Sequence, residues 1–304
     1  MKKSTVVFAA LISLGLSASP WHSMAAENGA TNWPLGVNTI LPALLPPPGG
    51  TQFYSYTVRY SANTFVDGKG RSAIPGFSLT QYAQALRFVH TWDYQTEGGV
   101  RFSSGAIPSA DYTRMRIGGT RDEATGFNQI YLTPLYLTYS PSPVLHLLAG
   151  FSGFVPLGDV DKNSLANTTN NYRSYVQEFG LTWFVSPAWE VSLSPTLSFN
   201  ERNRTTRYRS GNVLNTDFSV GYRPASMPQL QLSLAGYHTY QFSDDSAEGG
   251  PIAGGNRLRK LGLGPQVFYA FDKASGIVLK ALREVEVENG PKGNSLWLQF
   301  TMPL

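Results

Sequence analysis

The chain contains no cysteine, which removes disulfides, thiolate nucleophiles and cysteine metal sites from consideration. Charged residues are sparse, at 14% of the sequence. After the first sixteen residues no apolar run approaches the roughly 18 residues that a helix needs to cross a bilayer, so a helical membrane protein is excluded. The net charge of +4 is small and dispersed, and it falls by two if Lys2 and Lys3 are removed. Nucleic acid is therefore not expected as a partner.

At the N-terminus, Lys2 and Lys3 precede an apolar stretch from Val6 to Leu16, and small residues follow at Ser23, Ala25 and Ala26. This three-part pattern is that of a secretory signal cleaved after Ala25 or Ala26. The expected organisation is a signal peptide over 1–25, a Pro-rich segment over 26–50 and a single barrel domain over 51–304. Export places the mature chain in the envelope of a Gram-negative cell, at the outer membrane.

The composition left by these absences is rich in Tyr, Phe, Gly and Pro, a mixture that suits pleated surfaces and tight turns. From Trp189 to Asn200, Trp189, Val191, Leu193, Leu197 and Phe199 alternate with Glu190, Ser192, Thr196, Ser198 and Asn200. A period of two with one greasy face marks a strand. The same dyad runs from Leu230 to Gln241 and from Ser295 to Leu304. Strand-like segments fall at 51–62, 79–93, 99–108, 128–139, 144–155, 172–185, 189–200, 212–223, 229–242, 257–271, 276–287 and 294–303.

The connections alternate in length. Short ones near Glu97, Ser142, Ser186, Ala225 and Ala274 interleave with longer ones at 63–78, 109–127, 156–171, 201–211, 243–256 and 288–293. Short turns at one end, long loops at the other and an even strand number predict an all-β fold: a transmembrane antiparallel up-and-down β-barrel of about 12 strands. Such a ladder leaves no backbone amide unpaired in lipid once it closes. The segment before it contains Pro34, Pro42 and Pro46 to Pro48 followed by Gly49 and Gly50, and cannot form a central strand. Its expected place is the periplasm, as a tether; the alternative is a plug formed as Leu35, Val37, Ile40, Leu41, Leu44 and Leu45 fold into the barrel mouth.

With lipid on the apolar phase, the opposite phase lines the lumen. That set is Arg59, Arg87, Arg101, His146, Glu178, Glu190, Asp217, Arg223, Lys260, Gln266, Lys280, Glu284 and Glu286. An arginine or lysine facing lipid at mid-depth costs roughly 2–4 kcal/mol, and in the lumen it meets water or a carboxylate. Arg283 breaks this phase. Leu148, Phe154 and Phe268 add apolar surface on the lumen side, which suits a greasy ligand. On the outer loop, Arg202, Arg204, Arg207 and Arg209 present guanidinium groups suited to lipopolysaccharide phosphates.

His90, His146 and His238 each stand alone on a different strand, without metal-ligand spacing. Asp159 and Asp161, or Asp244, Asp245 and Glu248, match no calcium loop. No metal or cofactor is expected. A serine hydrolase of the barrel type needs one histidine beside one serine in space, but neither a G-x-S-x-G motif nor a P-loop is present.

Several stretches form a recognisable set: Gly36 to Gly49 with its Pro-Pro-Pro-Gly, Phe199-Asn200-Glu201 followed by Tyr208-Arg209-Ser210-Gly211, Gly236 to Gln241, and Gly262-Leu263-Gly264-Pro265. In this order they resemble the MetA-pathway of phenol degradation family, outer-membrane channels associated with the breakdown of aromatic and other hydrophobic compounds. The resemblance implies passive uptake of small hydrophobic or aromatic molecules and supplies no catalytic residues. The alternatives are a barrel-type lipid hydrolase and a sealed structural or adhesive barrel. Outer-membrane lipids, lipopolysaccharide, a small hydrophobic ligand and the barrel-assembly machinery, which would read the C-terminal strand, are the expected partners. The chain ends in Leu304, where such barrels usually end in an aromatic residue.

Overall fold

The computed structural model describes residues 29–304; the predicted signal peptide lies outside them. Strands β1 (Thr51–Val66), β2 (Ser78–Gln95), β3 (Arg101–Ile117), β4 (Thr120–Ser142) and β5 (Leu145–Pro156) follow one another as antiparallel neighbours. So do β6 (Ser174–Phe184), β7 (Trp189–Asn200), β8 (Val213–Tyr222) and β9 (Leu230–Gln241). A two-residue hairpin, β10 (Ser246–Ala247) and β11 (Gly250–Pro251), stands apart in the next loop. The wall resumes with β12 (Arg259–Ala270), β13 (Gly276–Glu288) and β14 (Gly290–Pro303). Pairing of β1 with β14, from Gln52 opposite Pro303 to Val66 opposite Gly290, closes the barrel.

Burial is inverted relative to a soluble protein. Glu190 and Asp217 are 0% exposed while Leu234 is 60% exposed, because polar side chains face the lumen and apolar ones face outward. Outward aromatics form two belts. Trp92, Trp183, Trp189, Tyr222 and Phe271 ring the end with the short turns, and Tyr82, Tyr175, Phe199, Tyr240 and Phe242 ring the end with the loops. Leu193, Leu232, Leu279 and Leu298 lie between them. An apolar band flanked by aromatic girdles is the outer surface of a transmembrane barrel.

Two connections expected to be long are tight turns. β3 and β4, of 17 and 23 residues, continue far beyond the membrane-crossing length of about 10 residues and meet at Gly118 and Gly119, with Gly118 at φ 59°. Gly118 supplies the positive φ that the first position of a two-residue hairpin turn requires. Charges that suggested a loop instead decorate the outer face of this hairpin, where Arg114 and Arg121 contact Glu123 at 3.1 and 3.3 Å. β13 and β14 are joined through Asn289 alone, at φ 54°.

The Pro-rich segment lies inside the barrel. Near the loop end, Gly29 approaches Phe65 and Gly290. Near the turn end, Gly49 and Gly50 exchange backbone hydrogen bonds with Thr91 of β2 at 2.9 and 3.0 Å. Between these points the chain crosses the lumen, so a tether outside the barrel is not its placement. Proline suits this path because residues 34–48 need no ladder partner on either side.

Candidate functional site

The plug is held by its backbone. The Asp217 carboxylate on β8 accepts the N–H of Gly36 and the N–H of Asn38, each at 2.9 Å. Gly36 has φ 85°, and a Cβ there would lie 2.6 Å from the Leu282 side chain, so only glycine fits this crossing. Lys280 Nζ on β13 donates to the Thr39 hydroxyl at 2.8 Å and to the Val37 carbonyl at 3.3 Å. Gln299 Nε2 on β14 donates to the same carbonyl at 2.9 Å. Thr39 in turn donates to Gln266 of β12 and accepts at its carbonyl from Ser219 of β8.

Further toward the turn end, Leu41 N–H donates to Ser192 Oγ at 3.0 Å and Ala43 N–H to Thr182 Oγ1 at 3.2 Å. Toward the loop end, Asn32 Nδ2 donates to Ser174 Oγ at 2.8 Å, and Gln129 Nε2 donates to the Asn32 carbonyl at 2.9 Å. Lumen polar groups therefore satisfy a loop that has no secondary structure to do so internally, which is the condition for burying irregular backbone.

The remaining lumen residues pair with one another. Glu284 accepts from Lys260 Nζ at 2.8 Å, Tyr60 Oη at 2.8 Å and Tyr237 Oη at 2.9 Å. Glu178 accepts from Tyr131 Oη at 2.6 Å and Ser152 Oγ at 2.7 Å. Glu190 meets Arg223 at 2.7 Å. Arg87 is caged by aromatic rings, with its guanidinium carbon 5.1 Å from the Tyr54 centroid and 5.5 Å from that of Tyr136. Arg101 and His146 keep the inward phase but sit half-buried at the turn-end rim.

Two residues assigned to the lumen are elsewhere. Arg59 is exposed on the outward phase of β1 and donates to the exposed Tyr82 hydroxyl. Glu286 also turns outward, where it meets Arg259 at 3.3 Å. A register shift in β12 and β13 places Leu261 opposite Glu286 but Gly262 opposite Glu284. The extra residue reverses the phase, and Val287 faces the lumen instead, 3% exposed. Arg283 is outward too, so its break of the assigned phase is no obstacle to β13. His90 and His238 lie on outward phases, His90 edge-on to Trp92. His146 Nδ1 contacts Ser140 Oγ at 2.7 Å at the turn end.

Between the plug and the wall lies a cavity of about 270 Å³, bounded by β1 to β5 and reaching Glu178, Tyr237, Lys260, Glu284 and Trp297 of the other strands. Tyr56, Val58, Leu79, Ala83, Ile107 and Met115 line the wall side, and Trp33, Leu35 and Val37 of the plug line the other. Trp33 packs edge-on against Tyr131 and Phe154, with centroids 5.9 and 6.3 Å apart. Thr168 and Asn170, from the loop after β5, border it toward the loop end. A dry apolar cavity of about 150 Å³ accepts benzene, so this one has room for a substituted aromatic ring. Asp111, Thr113 and Gln81 also line it. Asp111 and Thr113 fall within 109–127, which resembles a loop in the sequence; their alternation, with Met115, against Tyr112, Arg114 and Arg116 is the signal that marks them as strand residues.

A family model described as "Putative MetA-pathway of phenol degradation" matches residues 62–300. No curated protein matches the sequence. Among solved structures, an outer-membrane channel from Pseudomonas putida F1 is similar, with TM-score 0.73 and 18% identity over 86% of this chain and 98% of that one. The β domain of the Bordetella autotransporter BrkA gives TM-score 0.49 and 12% identity over 83% and 98%. The NanC porin gives 0.45 and 10% over 83% and 100%. The first of these likenesses shows the fold, that of an outer-membrane barrel.

Proposed function

The chain belongs to the MetA-pathway of phenol degradation family, and from that premise we propose that it is an outer-membrane channel for passive uptake of small hydrophobic or aromatic molecules. The observation that carries the reading is the apolar cavity on the loop side of a seated plug. Short turns face the periplasm and long loops face outward in barrels of this kind, so the cavity lies on the outer side and the plug forms its floor. A water-filled pore has no use for a wall of Ile107, Met115 and Tyr131, whereas an aromatic solute gains about 25 cal/mol for each Å² of apolar surface it buries there. Uptake then runs down a concentration gradient and needs no catalytic group.

In the same reading, the exposed Arg204 and Arg207 of the β7–β8 loop meet lipopolysaccharide phosphates. Unchanged co-purification of lipopolysaccharide with an alanine variant of Arg202, Arg204, Arg207 and Arg209 would remove that contact. The assembly machinery reads β14 as the terminal strand.

Crystals soaked with 4-bromophenol test the cavity directly by anomalous scattering. A bromine peak bounded by Tyr56, Ile107 and Tyr131 is expected. Bromine confined to the outer apolar belt would refute the proposed site.

A further inference from the structure

We infer that Asp111 and Thr113 form a polar anchor inside the cavity that selects apolar ligands bearing a hydrogen-bond donor, a hydroxyl or an ammonium group, at one end. The inference rests on the reading of the cavity as a ligand site and adds which ligands it prefers. Asp111 is 4% exposed and Thr113 5% exposed, and as alternate residues of β3 both project from the lumen face into the same cavity.

Gln81 Nε2 and Asn128 Nδ2 donate to Asp111 Oδ2 at 2.6 and 2.9 Å. Both act on one oxygen. Asp111 Oδ1 and Thr113 Oγ1 are buried with no hydrogen-bond partner among the described residues. Buried polar atoms are almost always partnered, and an unsatisfied one costs about 1–3 kcal/mol. The cations that line the same cavity, Lys260 and Arg87, are committed elsewhere: Lys260 to Glu284, and Arg87 to its cage of tyrosines. When the carboxyl is ionised, this oxygen can only accept, so the complementary ligand atom is a donor and the ammonium group is the one that favours the ionised form. The surrounding Leu79, Ala83, Ile107 and Met115 take the apolar body.

The test uses the full chain in lipid nanodiscs and calorimetric titration with four matched compounds: propylbenzene, 4-propylphenol, 4-propylbenzylamine and 4-propylbenzoate. The phenol and the amine are expected to bind about tenfold tighter than propylbenzene, the ratio of one hydrogen bond to a charged acceptor, with the benzoate weakest. Asp111→Leu should bring phenol and amine down to the level of propylbenzene. In Asp111→Asn the amide oxygen keeps Gln81 and Asn128, which turns its NH₂ toward the cavity. A phenol oxygen can still accept from that group and an ammonium cannot, so the amine alone should lose its advantage. Thr113→Val should cost the phenol about threefold.

Retention of the folded, heat-modifiable mobility of a barrel in electrophoresis shows that each variant is assembled. Equal binding of all four compounds, a ranking untouched by Asp111→Leu, or tightest binding of the benzoate would overturn the anchor while leaving the cavity as a site. Binding of none would overturn the cavity reading and the anchor with it.

Discussion

Deletion of residues 31–45 is expected to raise single-channel conductance by about tenfold or more. Barrels of eight strands are filled by their own side chains and those of sixteen hold an aqueous channel, and a barrel of this size lies between. Here the filling is completed by the plug. Pro46 to Gly50 are retained so that the bonds of Gly49 and Gly50 to Thr91 still set the approach to β1. The deletion strips Asp217, Lys280, Gln266 and Ser192 of their partners on the plug, and water replaces them. Planar-bilayer recording of the heat-modifiable, folded variant is the measurement. Conductance equal to that of the intact chain would mean that 31–45 does not block the lumen.

Lys280→Met is expected to unseat the plug without removing it. Lys280 makes two of the bonds that fix Val37 and Thr39, and its field also acts on the Asp217 carboxylate that holds Gly36 and Asn38. Methionine keeps the volume and the apolar stem but removes both donors and the charge. A hydrogen bond with a charged partner contributes about 1.5–3 kcal/mol. The Val37 carbonyl retains Gln299 Nε2, so the net loss should be about 2–4 kcal/mol. Opening of the plug would then become about 30- to 1,000-fold more frequent. Hydrogen exchange at the Gly36 and Asn38 amides measures this opening, with barrel-strand amides as the internal reference. Protection unchanged at both amides would place their restraint elsewhere.

These effects depend on features that differ in how far they can be read from residues. The wall is legible because lipid imposes a strict alternation: Trp189–Asn200 is a strand with the same limits in the sequence pattern and in the structure. The β3–β4 hairpin is not, because above the membrane the outward phase carries Arg114, Arg116 and Glu123 and no longer looks apolar. Only Gly118 and Gly119 betray the turn. Phase also fails where a strand contains an extra residue, as Glu286 shows, and where an outward arginine finds a tyrosine at the girdle, as Arg59 does with Tyr82.

The plug is harder still. Its leucines, Val37 and prolines suit several placements, and what seats it is a set of backbone N–H and C=O groups that every sequence shares. Asp217 and Lys280 are recognisable as lumen residues from their phase, but their partners at 36–39 lie some 180 to 240 residues away in the chain. The cavity follows from that docking, so Asp111 acquires meaning only once Trp33 and Leu35 are in place opposite it.

The most direct test of hydrophobic uptake is transport across an outer membrane that retains its lipopolysaccharide leaflet, since hydrophobic solutes cross phospholipid bilayers unaided. Intact Gram-negative cells with and without this chain are compared for initial uptake of radiolabelled 4-propylphenol and of a trisaccharide. The account predicts faster uptake of the alkylphenol in cells carrying the chain and no change for the sugar. Equal alkylphenol uptake in both cell types, or acceleration of the sugar alone, would contradict it.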